Sequence, residues 1–102
     1  MKKIENDIEQ AFCRHVAKRG YRAHKLTLFS ERGWPDRSIP LPGGRMCHIE
    51  FKHPNGGGRE SPQQRRVRTV YLEPLGHKTL VTDDLDIAIA WFEDQLEIAL
   101  AL

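Results

Sequence analysis

The sequence predicts a single α/β domain with elements in the order αβββαβα. Three observations support this prediction. Apolar residues recur at helical spacing over residues 3–19, and Gly20 then ends that helix. A Pro-Gly-Gly turn at residues 42–44 joins two stretches that are typical of paired strands. The Ser-Pro-Gln-Gln sequence at residues 61–64 begins a second helix, because it supplies an N-cap serine, a proline at the first turn and a glutamine at N3.

The other elements follow from alternating side chains and turn formers. In chain order, the predicted strands are Tyr21–Phe29, Arg37–Leu41, Arg45–Lys52 and Lys78–Thr82. The second helix is predicted to continue to Leu72 or Leu75, and a final helix to run from Asp83 or Asp84 to about Ala99. Residues 53–58, His-Pro-Asn-Gly-Gly-Gly, predict an irregular loop.

Length and charge limit the classes of protein to consider. The chain has 102 residues, the size of one domain, and 39% of them are hydrophobic, enough for a small core that a second subunit would help to stabilise. The net charge of +2 is mildly basic, with a group of arginines after residue 58 and acids gathered beyond Asp83. A basic patch beside an acidic pocket suits a polyanionic substrate, although a solvated helix face explains any single arginine equally well. The arginines concerned are Arg59, Arg65, Arg66 and Arg68.

The two cysteines, Cys13 and Cys47, have neither CxxC spacing nor a zinc-type pattern of histidines. We expect both to be small buried hydrophobes in a protein of a reducing compartment. The sequence shows no signal peptide and no long apolar run, so we expect a soluble cytoplasmic protein with no membrane partner.

The strongest chemical signal is Asp36, in Gly-Trp-Pro-Asp, followed fourteen residues later by Glu50-Phe51-Lys52. Strand alternation places Glu50 and Lys52 on one face of the hairpin, and Asp36, at the end away from the turn, lies beside Glu50 or Lys52. Two carboxylates can hold a hard divalent ion, which polarises a phosphate and acidifies a bound water. A lysine can stabilise the developing charge or position the water. The constellation predicts metal-assisted phosphodiester hydrolysis; the alternative is a hairpin with ordinary solvent-facing charges.

These residues belong to five stretches that occur in order across most of residues 4–82. They are Ile4-Glu5-x-x-Ile8-Glu9, Gly33-Trp34-Pro35-Asp36-Arg37, Leu41-Pro42-Gly43-Gly44-Arg45, Ile49-Glu50-Phe51-Lys52 and Ser61-Pro62-Gln63-Gln64. In this order and spacing the chain resembles the virus-type replication-repair nuclease (VRR-NUC) domain of the PD-(D/E)xK nuclease superfamily. The resemblance implies a restriction-endonuclease-like αβββαβ core, here with an extra C-terminal helix. Residues 27–32 depart from the family, which more often has a Ser-Pro-Gly-like turn there.

The resemblance also implies roles for the site residues. Asp36 and Glu50 would bind Mg²⁺ or Mn²⁺ together with the backbone carbonyl of Phe51, and Lys52 would be the catalytic lysine. Gln64 corresponds to the family's glutamine at the edge of the site, and it is equally the N3 residue of a capping box.

A glutamate of the first helix would join the metal directly or through water. Glu5 and Glu9 lie one turn apart on the same helix face, so both are candidates. We place Glu5 first, because Glu9 can instead serve as an outer or solvated acid. His48 shares the face of Glu50, where it is either a structural histidine or a contact to substrate.

The function implied is a structure-selective DNA endonuclease, acting on branched DNA such as Holliday junctions as a homodimer. The arginines named above and Lys25 would contact phosphates. A non-catalytic nucleic-acid-binding module is the alternative, but such copies usually lose an acid or the lysine, and this chain retains all three. A restriction-type enzyme that reads base sequence is less favoured, because little chain remains beyond the core to build base-specific loops.

Overall fold

The computed structural model describes residues 2–53 and 59–102, with side chains from Glu5 onward. Most of the predicted loop at residues 53–58 therefore lies outside the described residues. The helices are α1 (Lys2–Lys18), α2 (Pro62–Arg66) and α3 (Leu85–Ala101), and the strands are β1 (Arg37–Leu41), β2 (Arg45–Phe51) and β3 (Lys78–Thr82). Between α2 and β3 the chain continues as a π-helical segment, Val67–Leu72, and a 3₁₀ turn, Glu73–Leu75.

The three strands form one mixed sheet in the order β1-β2-β3. β1 and β2 are antiparallel, with Arg37 opposite Ile49 and Leu41 opposite Arg45, as expected for the predicted hairpin. Gly43 takes a left-handed φ of 76° in the connecting turn, a conformation that glycine adopts without a steric penalty. β3 runs parallel to β2, and the segment containing α2 makes the crossover that a parallel pair requires.

The predicted strand at Tyr21–Phe29 is wrong in extent, because only His24 pairs with the sheet. His24 and Ser38 exchange two backbone hydrogen bonds of 2.8 Å, which form an isolated antiparallel bridge. The next bonded pair in one direction would involve Pro40, which has no N–H to donate. The ladder therefore cannot extend toward the hairpin turn, and the rest of the segment is irregular chain.

The core lies between one face of the sheet and the helices α1 and α3. Cys47, Ile49 and Phe51 of β2 point into it, as their alternation predicts. The ring of Phe12 from α1 packs edge-on against Phe51 and against Phe92 of α3, with centroid distances of 5.4 and 6.0 Å. This packing holds β2 rigidly, and so fixes the residues that alternate with the core positions.

Both cysteines are free thiols. Cys47 is buried, which raises the pKa of its thiol to about 12, and Cys13 on α1 is half-buried. Among the described residues, no helix is long and apolar enough to cross a membrane.

Candidate functional site

Asp36 lies immediately before β1, one register step beyond the pair Arg37–Ile49, and so stands opposite Glu50. Its Oδ2 accepts a 2.7 Å hydrogen bond from the backbone N–H of Phe51. Burial raises the pKa of the Asp36 carboxyl, and that hydrogen bond and the positive charge of Lys52 oppose the rise. Asp36 is therefore held in place while keeping one carboxylate oxygen outside this bond.

Glu50 has the least favourable surroundings for a negative charge among the carboxylates of the site. Its side chain is 1% exposed, and no donor in the described part of the chain reaches either carboxylate oxygen. Burial is the main cause that raises the pKa of Glu50 well above its ordinary range, and the neighbouring Glu60 adds to it. Because a buried, unpartnered carboxylate is costly, this position fits a group whose charge a bound cation compensates.

Glu60 is a third carboxylate at this site, and the sequence patterns did not indicate it. Its two oxygens accept hydrogen bonds of 2.7 and 2.8 Å from Nε and Nη2 of Arg68. This paired contact lowers the pKa of Glu60, while Arg68 also reaches Glu73 at 3.2 Å. The only sequence signal was an acid directly before the Ser61 cap. Arg68 was expected to contact phosphate, but its guanidinium is engaged by carboxylates.

Gln64 forms the capping box of α2 and also contacts Lys52. Its Oε1 accepts from Lys52 Nζ at 3.1 Å and from the Ser61 backbone N–H at 3.0 Å. The Ser61 hydroxyl in turn accepts from the Gln64 N–H at 3.1 Å, which completes the capping box. One amide thus ties the start of α2 to the ammonium of Lys52.

Gly33 allows the segment with the Gly-Trp-Pro-Asp sequence to pack closely against the segment with the Ser-Pro-Gln-Gln sequence. Its φ is +89°, and a Cβ at this position would lie 2.7 Å from the backbone carbonyl of Gln63. Only glycine permits this close approach. The segment that carries Asp36 is therefore pressed against the segment that carries Gln64.

Of the two candidate glutamates of α1, Glu9 is the one whose charge acts on the site. It is buried and accepts a 2.7 Å hydrogen bond from Nε of Arg37, which also donates to the Ala23 carbonyl. Among the causes that raise the pKa of Asp36, the charge of Glu9 follows burial. Glu5 lies one turn earlier and is half-exposed. Glu9 thus acts on Asp36 through its charge while its carboxylate is paired with Arg37, and which of the two glutamates joins a metal stays a prediction.

The oxygens of Asp36, Glu50 and the Phe51 carbonyl suit a hard cation that takes only some of its ligands from the protein. The N–H and C=O of a strand residue point to the same edge, so the Phe51 carbonyl faces the side on which Asp36 binds its N–H. Within residues 5–53 and 59–102, no group of three or more His, Cys, Asp or Glu side chains is arranged to hold a metal by itself. Two carboxylates and a carbonyl leave positions for water and substrate, as Mg²⁺ commonly requires.

The remaining basic candidates are all exposed. Arg59, Arg65 and Arg66 are exposed, so their charges are open to a polyanion. Lys25 is also exposed, and its charge contributes to lowering the pKa of Asp36 against the larger effect of burial.

His48 is a structural residue in this fold. It is fully buried, with Nδ1 at 2.7 Å from the Ser38 hydroxyl and Nε2 at 2.9 Å from Nδ1 of His77. The indole N–H of Trp34 donates to the same hydroxyl at 2.9 Å. Burial, with the adjacent His77, lowers the pKa of His48 to about 4. The network fixes Trp34, two residues before Asp36, and leaves His48 no access to substrate.

Comparisons with known proteins bear on the fold and on the nuclease assignment. A scan against family models finds no match. A protein of Acyrthosiphon pisum secondary endosymbiont phage 1, named "Putative nuclease p44", is 36% identical over 84 residues, which is 82% of this chain and 87% of that protein. A solved structure described as a VRR_NUC domain matches with a TM-score of 0.73 and 19% identity, over 88% of this chain and 95% of that one. At that identity, the likeness shows the fold. The chain therefore belongs to the same family as the phage relative, and its fold is that of the VRR_NUC domain.

Proposed function

We propose that this nuclease is a divalent-metal-dependent DNA endonuclease that hydrolyses phosphodiester bonds, with Mg²⁺ or Mn²⁺ as cofactor. The observation that carries the proposal is Glu50, a buried carboxylate that faces Asp36 and lies two residues before Lys52, and for which the described residues supply no donor. An ordinary surface hairpin has no reason to bury an acid at such cost. The alternative of a non-catalytic binding module gives no account of it.

Asp36, Glu50 and the Phe51 carbonyl would hold the ion. When bound, a divalent ion polarises the phosphoryl oxygen and acidifies a water. Lys52 supplies a fixed positive charge to the phosphate, because Gln64 holds its ammonium at 3.1 Å. Phe51 fixes the orientation of Asp36 through its N–H, and burial of Glu50 excludes bulk water from that side of the site.

The substrate we propose is branched DNA, including Holliday junctions, cut by a homodimer. The exposed Arg59, Arg65 and Arg66 follow the site in sequence and provide contacts to phosphates. A two-fold dimer would place two sites on one assembly, which suits paired cuts in a symmetric junction.

Cleavage of a DNA panel in Mn²⁺ tests the proposal. The panel contains a four-way junction, a flap, a splayed arm and plain duplex. We expect cleavage to need the ion, to be abolished in Asp36→Asn, and to slow at least about a hundredfold in Lys52→Ala with little loss of DNA affinity.

Two exposed residues away from the site give matched controls: Glu97→Gln on α3 and Lys78→Ala at the start of β3. Both should cut DNA like the wild type. A wild-type protein that binds the panel but cuts none of it in Mn²⁺ or Mg²⁺ would instead establish the binding module.

A further inference from the structure

A cleft lies beside the candidate site, and the function proposed above does not use it. Its volume is about 240 Å³, and it separates the loop after Phe29 from the helical segment after Pro62. Gln63 lines this cleft, while the next residue, Gln64, holds Lys52. The contact of Gly33 with Gln63 brings the two walls together, so the cleft is anchored to the catalytic motifs.

The walls of the cleft combine an exposed aromatic ring with positive charge. Val67, Val70 and Tyr71 give an apolar surface, and the side chain of Tyr71 is 52% exposed. Arg32 and Arg66 lie on the same cleft, as does one acid, Glu31. Tyr71 thus shares one open cleft with two arginines, a combination that suits a planar ligand that carries negative charge.

The backbone of the helical wall is also irregular. Val70 and Tyr71 lie in the π-helical segment, where the Glu73 N–H bonds to the Arg68 carbonyl five residues earlier. Such widened turns are rare and often occur at functional sites. The opposite wall belongs to residues 27–32, the stretch that departs from the family pattern, and Phe29 two residues before Glu31 is fully exposed.

We propose that this cleft binds an unpaired nucleotide of the DNA substrate, with the base stacked on Tyr71. This inference rests on the proposed endonuclease function and specifies its substrate as DNA with unpaired bases at a branch. An aromatic ring accepts any base on its face, and the base must leave the duplex to reach it. Arg32 and Arg66 would bind the flanking phosphates, and the Glu31 carboxylate would accept from an exocyclic amino group of the base.

Binding in EDTA tests the inference separately from cleavage. The probes are a plain duplex and the same duplex with one bulged 2-aminopurine. We expect wild-type protein to prefer the bulged duplex and to quench the 2-aminopurine fluorescence. Tyr71→Ala should lose the quenching and reduce the preference roughly fivefold or more, whereas Tyr71→Phe, which keeps the ring, should behave like the wild type.

Leu75→Ala is the matched control, because Leu75 is an exposed apolar side chain four residues away that lines a different cleft. It should retain quenching and preference, and circular dichroism should show that all variants are folded. Equal loss of affinity for both probes in Tyr71→Ala, or retained quenching, would overturn the inference. Wild-type protein that cuts DNA in Mn²⁺ but shows no preference for the bulge would overturn this inference alone, whereas a protein that prefers the bulge but cuts nothing contradicts the endonuclease.

Discussion

At the scale of single residues, the burial of Glu50 lowers the stability of the metal-free protein. Its folded-state pKa is raised above the ordinary value of 4.5, chiefly by burial and then by Glu60. A raised carboxyl pKa means that its favourable contribution is fully present only below pH 4.5, and is lost as the pH rises toward and through the folded value. At neutral pH and without metal, Glu50 therefore destabilises the fold.

We expect Glu50→Gln to raise the free energy of unfolding of the metal-free protein at pH 7 by about 1–3 kcal/mol, because a neutral amide removes the linkage cost of a carboxyl whose folded-state pKa is raised. The gain should disappear near pH 4, where the wild-type carboxyl is neutral in the folded state and largely so in the unfolded state. Mn²⁺ should stabilise the wild type and have little effect on the variant. Thermal unfolding at both pH values, with and without the ion, measures all three effects.

Glu97→Gln removes an exposed acid of α3 and is the control for overall charge. It should leave the melting temperature nearly unchanged under each condition. If Glu50→Gln is less stable than the wild type at pH 7 without metal, the carboxylate is stabilised by a partner other than a bound cation.

Strand alternation was sufficient to predict that Glu50 and Lys52 share a face, because the face that a strand side chain takes depends only on its position along the strand. The hairpin turn was likewise sufficient to place Asp36 beside them. Glu60 could not be predicted, since its role depends on Arg68 reaching back eight residues across a helix start. The pairing of Glu9 with Arg37 depends on how α1 packs on the sheet, which short-range patterns do not encode.

At the scale of elements, the helical segment after Ser61 has two kinds of arginine. Arg65 and Arg66 are exposed in the last turn of α2, whereas Arg68 in the π-helical segment is paired with Glu60 and Glu73. Exposed guanidinium groups release counterions when they bind phosphates, so they determine the salt dependence of binding. A guanidinium already paired with carboxylates contributes to the geometry of the site instead.

Replacing Arg65 and Arg66 together by alanine should therefore flatten the plot of log binding constant against log salt by about 1.8, because each phosphate that the protein neutralises contributes about 0.9 to the slope. Fluorescence anisotropy with duplex DNA at several salt concentrations gives the slope. The control, Arg45→Ala with Lys78→Ala, removes two exposed charges at the opposite end of the sheet and should keep the wild-type slope. Equal slopes for both double variants would locate the DNA surface elsewhere.

The bounds of the strands and helices were predicted with unequal success. The hairpin strands and β3 follow from local alternation and turns, and their bounds agree closely with the structure. The strand at Tyr21–Phe29 was wrong because pairing depends on the partner strand, and Pro40 of that partner lacks a donor. The π-helical segment was also unforeseen, since the apolar spacing of residues 67–72 is compatible with an ordinary helix.

At the scale of the whole molecule, α3 has more apolar surface than one sheet face can cover. Ala88, Phe92 and Leu96 form its buried stripe, as a helix packed on one side requires. Ile87 and Ile98 lie eleven residues apart, about three turns, and so share one side of the helix. These two residues are 53% and 50% exposed, which leaves, beside the buried stripe, a strip that carries two exposed isoleucines with the exposed Asp94 between them.

We expect this strip to form the interface of a homodimer, because exposed apolar surface of this kind tends to mark contacts between proteins. Light scattering at micromolar concentration should give a mass near twice the 11.8 kDa of the chain. Ile87→Glu with Ile98→Glu should give the monomer mass, since a two-fold contact brings each new charge into the interface twice. Leu28→Glu, at a partly exposed leucine of the loop before the site, should remain dimeric. A wild-type mass near 11.8 kDa would show that the strip faces solvent, and that paired cuts must come from two independent binding events.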